Sequence, residues 1–483
     1  MKKRILILLL AAILLSGTAC TQKTETDTAG SGTEPRTDTT PEAAETLPAW
    51  ALPDTNWDGE TVTFLLRDTG GDWCADDVLA EETNGTPIND AVYKRNVTVE
   101  DRYNAKIAGN YAPRDVSVAG PAMASIQAGD EAFDIMASWR VDAVNLLQEH
   151  ALVDLHTSEY LHFDQPWWNA YFCESASIGG KLYYALGDIS RVYKLGVRCM
   201  FFNKDIAADL GLPNLYDMVR EGKWTLDEMF SMAEQGSLDL DGDGEMTKED
   251  RYGLQAQSSL GSVLAFAAGV QIIGKDTDDL PTIVVDSERN IEVMEKIAAW
   301  ISTQKKQNLY VSDNWSKTQE RFASNQVLFQ AEVMLLIEAL RASEVNIGIL
   351  PPPKADESQS DYISFLDSNC QIDYAIPTTC TRVPFVSFML EAMAQESTTT
   401  LTPAFYDICL SGKYVRDEES TEMLDIIFAH PCIDDSDCYG WGSIYGKLQS
   451  ALMNGKPIVS TIESVKAATQ TGIEKTIAKI TED

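Results

Sequence analysis

The segment GETVTFLLRD, Gly59 to Asp68, gives the first indication of the fold. It alternates in hydrophobicity and is rich in Val, Thr, Phe and Leu, as β-strands are. Apolar residues at helical spacing follow in PINDAVYKRNVTVEDRYNAKI, Pro87 to Ile107, and a short strand is predicted over Phe133 to Ala137. Strands that alternate with helices predict an α/β protein with mostly parallel sheets, whose ligands bind beyond the carboxyl ends of the strands.

The length and charge of the chain narrow its class. Its 483 residues are too many for one core, and a prior of roughly 150 residues per domain gives two or three units. The 74 acidic and 38 basic residues give a formal net charge of -36. Because such a surface repels phosphate backbones and anionic lipid headgroups, the charge argues against nucleic-acid binding.

The N-terminus predicts an exported protein. Three basic residues precede the apolar run ILILLLAAILL, Ile5 to Leu15, which is too short to span a bilayer and has the length of a signal-peptide core. The segment SGTAC that follows resembles the lipobox of bacterial lipoproteins, although Gly17 stands where Leu is most usual. The prediction is a signal peptide over 1–19 and a diacylated Cys20; the alternative is an ordinary secreted protein cut after Ala19.

The segment after Cys20 is predicted to be a flexible tether over 20–56. It is rich in Thr, Glu, Gly and Pro and nearly free of large apolar side chains, so it cannot bury enough surface to fold. The anchored chain is therefore expected at the extracytoplasmic face of the cell membrane, held by its lipid alone. Eight further cysteines form no CxxC pair and are interpreted as buried free thiols: Cys74, Cys173, Cys199, Cys370, Cys380, Cys409, Cys432 and Cys438.

Several phrases, in a fixed order, resemble one family. They are MFFNKDIAADLGLP with WTLDEMFSMA, IQAGDEAFDIMASW, RFASNQVLF, VNIGILPPPK and YAIPTTC. Together they are similar to the extracellular solute-binding proteins of ABC importers, of the maltose-binding, carbohydrate type. The phrases cover roughly residues 59 to 470. The segment Gly70 to Pro87 and the stretch after His430 match no pattern of the sugar binders.

The resemblance implies an α/β fold of the periplasmic-binding-protein-like type II class, with two α/β lobes joined by hinge crossovers. Mapping the phrases onto the sequence places lobe one at 57–190 and 327–366, and lobe two at 196–326 and 370–476. The hinge strands are expected near 188–198, 323–329 and 367–376. A ligand would sit in the cleft, and the lobes would close over it by hinge bending.

The resemblance also implies a function. The chain would be the lipid-anchored, monomeric substrate-binding subunit of an ABC importer, which captures a solute, most typically a carbohydrate or oligosaccharide, and delivers it to a permease without chemistry. One alternative is a surface-anchored polysaccharide hydrolase, and another is the same fold with a peptide or amino-sugar ligand. The four histidines form no HExxH motif, and no GxSxG motif occurs, so the sequence offers no catalytic signature.

Ligand recognition is expected to rest on aromatic and polar side chains, because sugars stack C–H faces on Trp and hydrogen-bond through their hydroxyls. Trp224 and Trp300 are expected in the core, whereas Trp167 and Trp168 are expected to anchor a loop. The candidates that remain follow strand ends, predicted hinges or glycine-rich loops: Asp72, Trp73, Trp139, Arg140, Asp188, Trp315, Asn369, Asp373 and Trp441.

The segment DLDGDGEMTKED, Asp239 to Asp250, resembles a calcium loop. Its spacing fits the EF-hand pattern except that Asp replaces the closing Glu. The oxygens would come from Asp239, Asp241, Asp243, the carbonyl of Glu245, Thr247 and Asp250. A single loop without a paired hand predicts a structural Ca²⁺ that holds a turn of lobe two; the alternative is a solvated acidic turn.

Overall fold

The computed structural model describes residues 51–69, 77–114, 116–340, 343–368, 370–410 and 418–481. The predicted signal peptide, Cys20, Asp72, Trp73 and Asn369 lie outside the described residues. None of the described helices has the length and apolarity of a membrane span. Cys173, Cys199 and Cys432 are buried free thiols, as predicted, whereas Cys380 and Cys438 are free but only half-buried, and Cys74 lies outside the described residues.

The strands, in chain order, are β1 Glu60–Arg67, β2 Ala105–Ala112, β3 Ile135–Ser138, β4 Arg198–Asn203, β5 Tyr252–Ala256, β6 Ile273–Lys275, β7 Pro281–Ile283, β8 Leu309–Val311, β9 Val327–Val333, β10 Ile347–Leu350, β11 Ser364–Phe365, β12 Asp373–Ala375 and β13 Pro431–Cys432. The helices are α1 Pro87–Tyr103, α2 Ala119–Ala128, α3 Arg140–Leu147, α4 Ala170–Ala176, α5 Val192–Gly196, α6 Lys204–Asp209, α7 Leu215–Arg220, α8 Leu226–Gly236, α9 Leu260–Ala267, α10 Glu288–Gln304, α11 Trp315–Ala323, α12 Leu336–Leu340, α13 Val383–Ser397, α14 Leu401–Leu410, α15 Glu418–Ala429, α16 Ser436–Tyr439, α17 Ile444–Asn454 and α18 Ile458–Thr481. Two short 3₁₀ helices lie at Leu155–Thr157 and Trp441–Ser443.

The first sheet has the strand order β12-β3-β1-β2. Strand β1 runs parallel to both β2 and β3, and β12 runs antiparallel to β3. The alternation in the sequence of β1 places Val62, Phe64 and Leu66 in the core, where none of the three has any exposed surface. Helices α13 and α14 pack against α1 beside this sheet.

The second sheet has the order β10-β4-β9-β5-β8. Strand β5 is parallel to β8 and β9, whereas β4 is antiparallel to its two neighbours, β9 and β10. A separate apolar core packs against one face of this sheet and contains Trp224 and Trp300, as predicted. The opposite face joins the apolar core of the first sheet through Cys199 and Phe201.

The pairing of the strands corrects the predicted lobe boundaries. Strands β9 and β10 fall within 327–366, predicted as lobe one, yet they pair with β4 and β5 in the second sheet. Strand β12 and helix α13, predicted as lobe two, belong with the first sheet. The reason is physical: a short apolar strand signals burial but carries no local information on which distant strand it will join.

Segments that connect the two sheets lie side by side. Val197 forms a bridge with Leu366, and the Asp367 N–H donates to the Gly196 carbonyl at 3.3 Å. The chain just after β9 joins them, since the Met334 N–H donates to the Val197 carbonyl at 2.8 Å. The segments at 196–197 and 366–367 lie at or next to the predicted hinge regions 188–198 and 367–376. The third segment, at Met334, follows β9, whereas the predicted hinge region 323–329 lies around the start of that strand.

Candidate functional site

The ends of β1 and β3 bring a cation and an aromatic ring together. Strand β1 ends at Arg67, and Trp139 follows the last residue of β3. Because the two strands are parallel neighbours, their carboxyl ends meet at one edge, and the guanidinium carbon of Arg67 lies 3.5 Å from the centre of the Trp139 ring. Trp139 is half-buried, and its buried Nε1 finds no hydrogen-bond partner among the described residues. The predicted position of Trp139 at a strand end is therefore confirmed.

A second polar centre forms where β4 begins. Arg198 donates from Nη1 to Glu332 Oε1 at 2.9 Å, from Nη2 to Asp367 at 2.6 Å, and to Gln257 Oε1 at 3.3 Å. Glu332 stands near the end of β9 and Gln257 just beyond the end of β5. Because β4 is antiparallel to β9 and β9 is parallel to β5, these three positions converge at one edge of the second sheet. We call Arg198, Glu332, Asp367 and Gln257 the Arg198 centre.

Arg198 and Glu332 are buried, whereas Asp367 and Gln257 are half-buried. Burial raises the pKa of Glu332, which Arg198 partly opposes, while Asp367 and Asp313 raise it further. Burial acts to lower the pKa of Arg198, but Glu332 and Asp367 outweigh it, so the net shift is upward. Oε2 of Glu332 and Nε of Arg198 are buried and accept or donate no hydrogen bond within the described part of the chain. Buried polar atoms of this kind cost free energy unless a partner satisfies them.

Arg140 and Asp373 form a deeper network. Arg140 has no exposed surface and donates to Asp435 at 2.7 Å and Gln371 at 3.2 Å, while its Nε lies 3.7 Å from Asp373. Burial raises the pKa of Asp373 to about 7, although Arg140 pulls it down. Both residues were predicted as ligand contacts; the structure places them inside the protein, engaged with each other. This network joins the elements around it, because Asp435 immediately precedes α16, which contacts α3.

The remaining predicted contacts fall into two groups. Asp188 and Trp441 are buried: Asp188 accepts from Tyr193 Oη at 2.6 Å and pairs with Lys194, and Trp441 donates to Thr476 at 2.9 Å. Trp315 is the first residue of α11, which falls between β8 and β9 in the sequence. Its half-buried side chain nevertheless packs against the core of the first sheet. It is therefore a candidate for contact with a ligand between the sheets.

Trp167 and Trp168 have the anchoring role expected from the sequence. Both indole N–H groups donate to the buried carboxylate of Glu391, at 3.1 and 2.7 Å. This arrangement fixes the loop before α4 on helix α13.

Five residues of these two sites are absent from the candidates chosen on the sequence: Arg67, Arg198, Gln257, Glu332 and Asp367. A signal was present for two of them. Glu332 lies in VLFQAEV, all of whose residues are buried, and Arg198 opens the buried strand RCMFFN. A charged residue within or at the start of a fully buried apolar strand is rare unless it is paired, and it therefore marks a candidate site.

The acidic loop gathers the carboxylates in part. One oxygen from each of Asp239, Asp241 and Asp243 lies within 4.8 Å of the others. The carboxylate of Asp250 instead accepts from the Leu240 N–H at 2.8 Å and the Thr247 N–H at 2.7 Å. These hydrogen bonds lower the pKa of Asp250. The donor set fits Ca²⁺, with Asp250 acting in this geometry as a brace of the loop.

A cavity of about 280 Å³ lies between α4 and the segments β6 and β13. Its deepest charged group, Asp434, already accepts from Ser436, Ile272 and Ile273. Because its carboxylate has partners on both oxygens, this cavity offers less unmet hydrogen-bonding capacity than the Arg198 centre.

Comparison with known proteins identifies the fold. No protein-family model matches the sequence, and no curated protein matches it. Solved structures do match: a sugar transporter from Rhizobium etli in an open conformation, at 15% identity and a TM-score of 0.56 over 86% of this chain and 99% of that one. UgpB from Mycobacterium tuberculosis in complex with glycerophosphocholine has 14% identity and a TM-score of 0.56 over 87% and 100%. A cyclo/maltodextrin-binding protein with maltotetraose has 12% identity and a TM-score of 0.55 over 88% and 98%.

These similarities establish the fold class. The chain has the type II periplasmic-binding-protein-like fold of ABC solute-binding proteins, with two α/β lobes, as the resemblance in the sequence implies.

Proposed function

We propose that this chain is the substrate-binding subunit of an ABC importer, which captures a solute between its two lobes and releases it unaltered to a permease. The observation that carries the proposal is the Arg198 centre, which holds buried polar atoms without partners at the edge where strands of the second sheet end. In open α/β sheets, ligands bind at such edges. The site of Arg67 and Trp139 at the ends of β1 and β3 supplies the opposing surface in this proposal.

A carbohydrate is the solute class that we favour. Trp139 and Trp315 are half-buried aromatic rings, which suits stacking against the C–H faces of a sugar. The polar groups of the Arg198 centre suit the hydroxyls. Among the similar structures, one holds maltotetraose, another cycloalternan and a third ribitol. The second candidate is an amino-sugar ligand, for which the surplus of carboxylates around Arg198 is the specific observation.

The proposal includes an anchor and a location. Cys20 would carry the lipid, and the segment 20–56 would tether the folded part to the extracytoplasmic face of the membrane as a monomer. Support comes from the basic residues, apolar run and Cys at the N-terminus of the sequence. Labelling the protein with a radioactive fatty acid in a bacterial host, with Cys20→Ser as the control, tests this part.

The acidic loop is proposed to bind a structural Ca²⁺. Asp239, Asp241 and Asp243 would hold the ion, and Asp250 would brace the loop from behind. The ion would neutralise carboxylates that otherwise repel one another, because the neighbouring charges of Asp243 and Asp239 contribute to the raised pKa of Asp241. This role is structural and requires no chemistry at the ion.

The test of the function separates binding from turnover. The purified protein is incubated with a panel of oligosaccharides, and both the melting temperature and the release of products are followed. A ligand-dependent rise in melting temperature with no product supports the solute-binding protein. Hydrolysis of a panel member would instead support the alternative, a surface-anchored polysaccharide hydrolase.

A further inference from the structure

The Arg198 centre carries more negative than positive charge. Arg198 contacts Glu332 and Asp367, and the charge of Asp313 also reaches Glu332. At this centre one guanidinium therefore contacts two carboxylates.

The excess of negative charge acts on a buried oxygen atom of Glu332. Glu332 is 1% exposed, and its Oε1 already accepts from Arg198 and from the Val333 N–H at 2.9 Å each. Its other oxygen, Oε2, is buried and accepts no hydrogen bond from any described residue. A buried carboxylate oxygen that lacks a hydrogen-bond donor costs free energy. A charged donor forms a stronger hydrogen bond with it than a neutral donor does.

The terminal nitrogens of Arg198 are already committed. Nη1 and Nη2 of Arg198 point at Glu332, Asp367 and Gln257, so the arginine has only Nε left to offer. An anionic group on the ligand would meet the carboxylates of Glu332 and Asp367 and a single unpaired N–H. A hydroxyl would satisfy Oε2 but would leave the surplus of charge in place.

We propose that the solute carries a protonated amino group, as in an amino sugar or an oligosaccharide of glucosamine, and that Glu332 Oε2 receives its ammonium. This inference rests on the proposed function, since it names the ligand class for the same site. Asp367 and Asp313, whose charges reach Glu332, would stabilise the ammonium at longer range. The same charges would discriminate against sugar phosphates and uronates.

The experiment compares oligomers of equal length and linkage that differ in one substituent. The probes are glucosamine oligomers from chitosan, N-acetylglucosamine oligomers from chitin, and cello-oligosaccharides, each titrated calorimetrically into the purified protein at slightly acidic pH. Glucosamine oligomers are expected to bind at least about tenfold more tightly than both neutral series, a difference of roughly 1.4 kcal/mol.

Variants assign the preference to its residue. Glu332→Gln keeps the shape but removes the charge, so it should abolish the preference for the amino series over the neutral series. Asp313→Asn, at an exposed position, should reduce the preference by a smaller factor and is informative even if Glu332→Gln fails to fold. Glu320→Gln, on the exposed face of α11, is the matched control and should leave all affinities unchanged.

The outcomes test the amino-group inference and the proposed solute-binding function separately. Equal or tighter binding of the neutral oligomers overturns the amino-group inference and leaves the solute-binding function standing. A preference for the amino series that survives both Glu332→Gln and Asp313→Asn overturns the assignment to this site. If the protein is intact and folded and yet binds none of the saccharides, the proposed carbohydrate-binding function is wrong.

Discussion

The guanidinium of Arg67 stacks 3.5 Å from the centre of the Trp139 ring. The two residues are far apart in sequence and meet because β1 and β3 are parallel neighbours whose carboxyl ends share an edge. Stacking on the cation holds the indole in one orientation and leaves its half-buried surface as a preformed aromatic platform. A platform that is ordered in advance loses less entropy when a ligand binds.

Replacement of this ring tests the platform. Trp139→Ala is expected to weaken solute binding more than about tenfold, because it removes an aromatic stacking surface at a strand end. Titration calorimetry with the best ligand from the panel measures the loss. Trp300→Phe is the control, since Trp300 packs on Phe230 in the second core, away from the proposed site. Equal affinities for Trp139→Ala and the wild type would remove Trp139 from the binding site.

The buried Arg140–Asp373 network predicts a dependence of stability on pH. The pKa of Asp373 is raised to about 7 in the folded protein, against about 4 in an unfolded chain. The folded state therefore binds this proton more tightly, so the stability that it contributes is present at low pH and is lost as the pH rises through about 7. Asp434, whose pKa is raised to about 6, acts in the same direction.

Asp373→Asn isolates this effect, because the amide stays neutral at every pH. The wild type should lose melting temperature between about pH 5 and about pH 8, and the variant should lose distinctly less. Asp407→Asn, at an exposed position on α14, should follow the wild type. Parallel pH profiles for wild type and Asp373→Asn would show that Asp373 does not titrate in this range.

Removal of calcium tests the acidic loop. If Ca²⁺ binds the folded protein only, a chelator should lower the melting temperature by at least about 3 °C, and added Ca²⁺ should restore it. The double variant Asp241→Asn with Asp243→Asn should melt at the lower temperature with or without chelator. A melting temperature that ignores both chelator and Ca²⁺ would make the loop a solvated acidic turn.

The close approach of Gly196 and Cys370 tests the connection between the sheets. A Cβ at Gly196 would lie 2.3 Å from the Cys370 Cβ and 2.5 Å from its carbonyl oxygen. To relieve this clash the backbone of Cys370 would have to move, which costs free energy. Gly196→Ala should therefore lower the melting temperature by several degrees and weaken ligand binding. Gly446→Ala, where a Cβ meets no atom within 4 Å in helix α17, should be neutral or stabilising by up to about 1 kcal/mol. If Gly196→Ala behaves like Gly446→Ala, this contact does not constrain the crossover.

Local patterns in the sequence predict local structure well. The strand predicted over Gly59 to Asp68 is β1, Glu60–Arg67. The helix predicted over Pro87 to Ile107 is α1, Pro87–Tyr103, but the last residues of the predicted range begin strand β2. Both rest on periodicity, which the chain expresses without reference to distant residues. The order of the family-like phrases also predicts the fold class. The assignment of β9, β10 and β12 to lobes fails because strand pairing is non-local.

The candidate site likewise has one part that the sequence predicts and one part that depends on non-local pairing. Trp139 lies at a strand end, as predicted, because the end of an apolar run is visible in the sequence. Arg140 and Asp373 are close to that edge but face the interior, and no single-sequence pattern specifies which side a charged residue takes once a partner such as Asp435 is available. Arg198 and Glu332 come together only through the antiparallel pairing of β4 with β9.

The central claim is that the chain binds a solute between its lobes and returns it unaltered. The most direct measurement is a calorimetric titration with the saccharide panel, followed by chromatography of the ligand recovered from the same cell. The account predicts saturable binding of one ligand per chain and complete recovery of the intact saccharide. Shortened saccharides in the recovered fraction, or the absence of binding by every member of the panel, would contradict it.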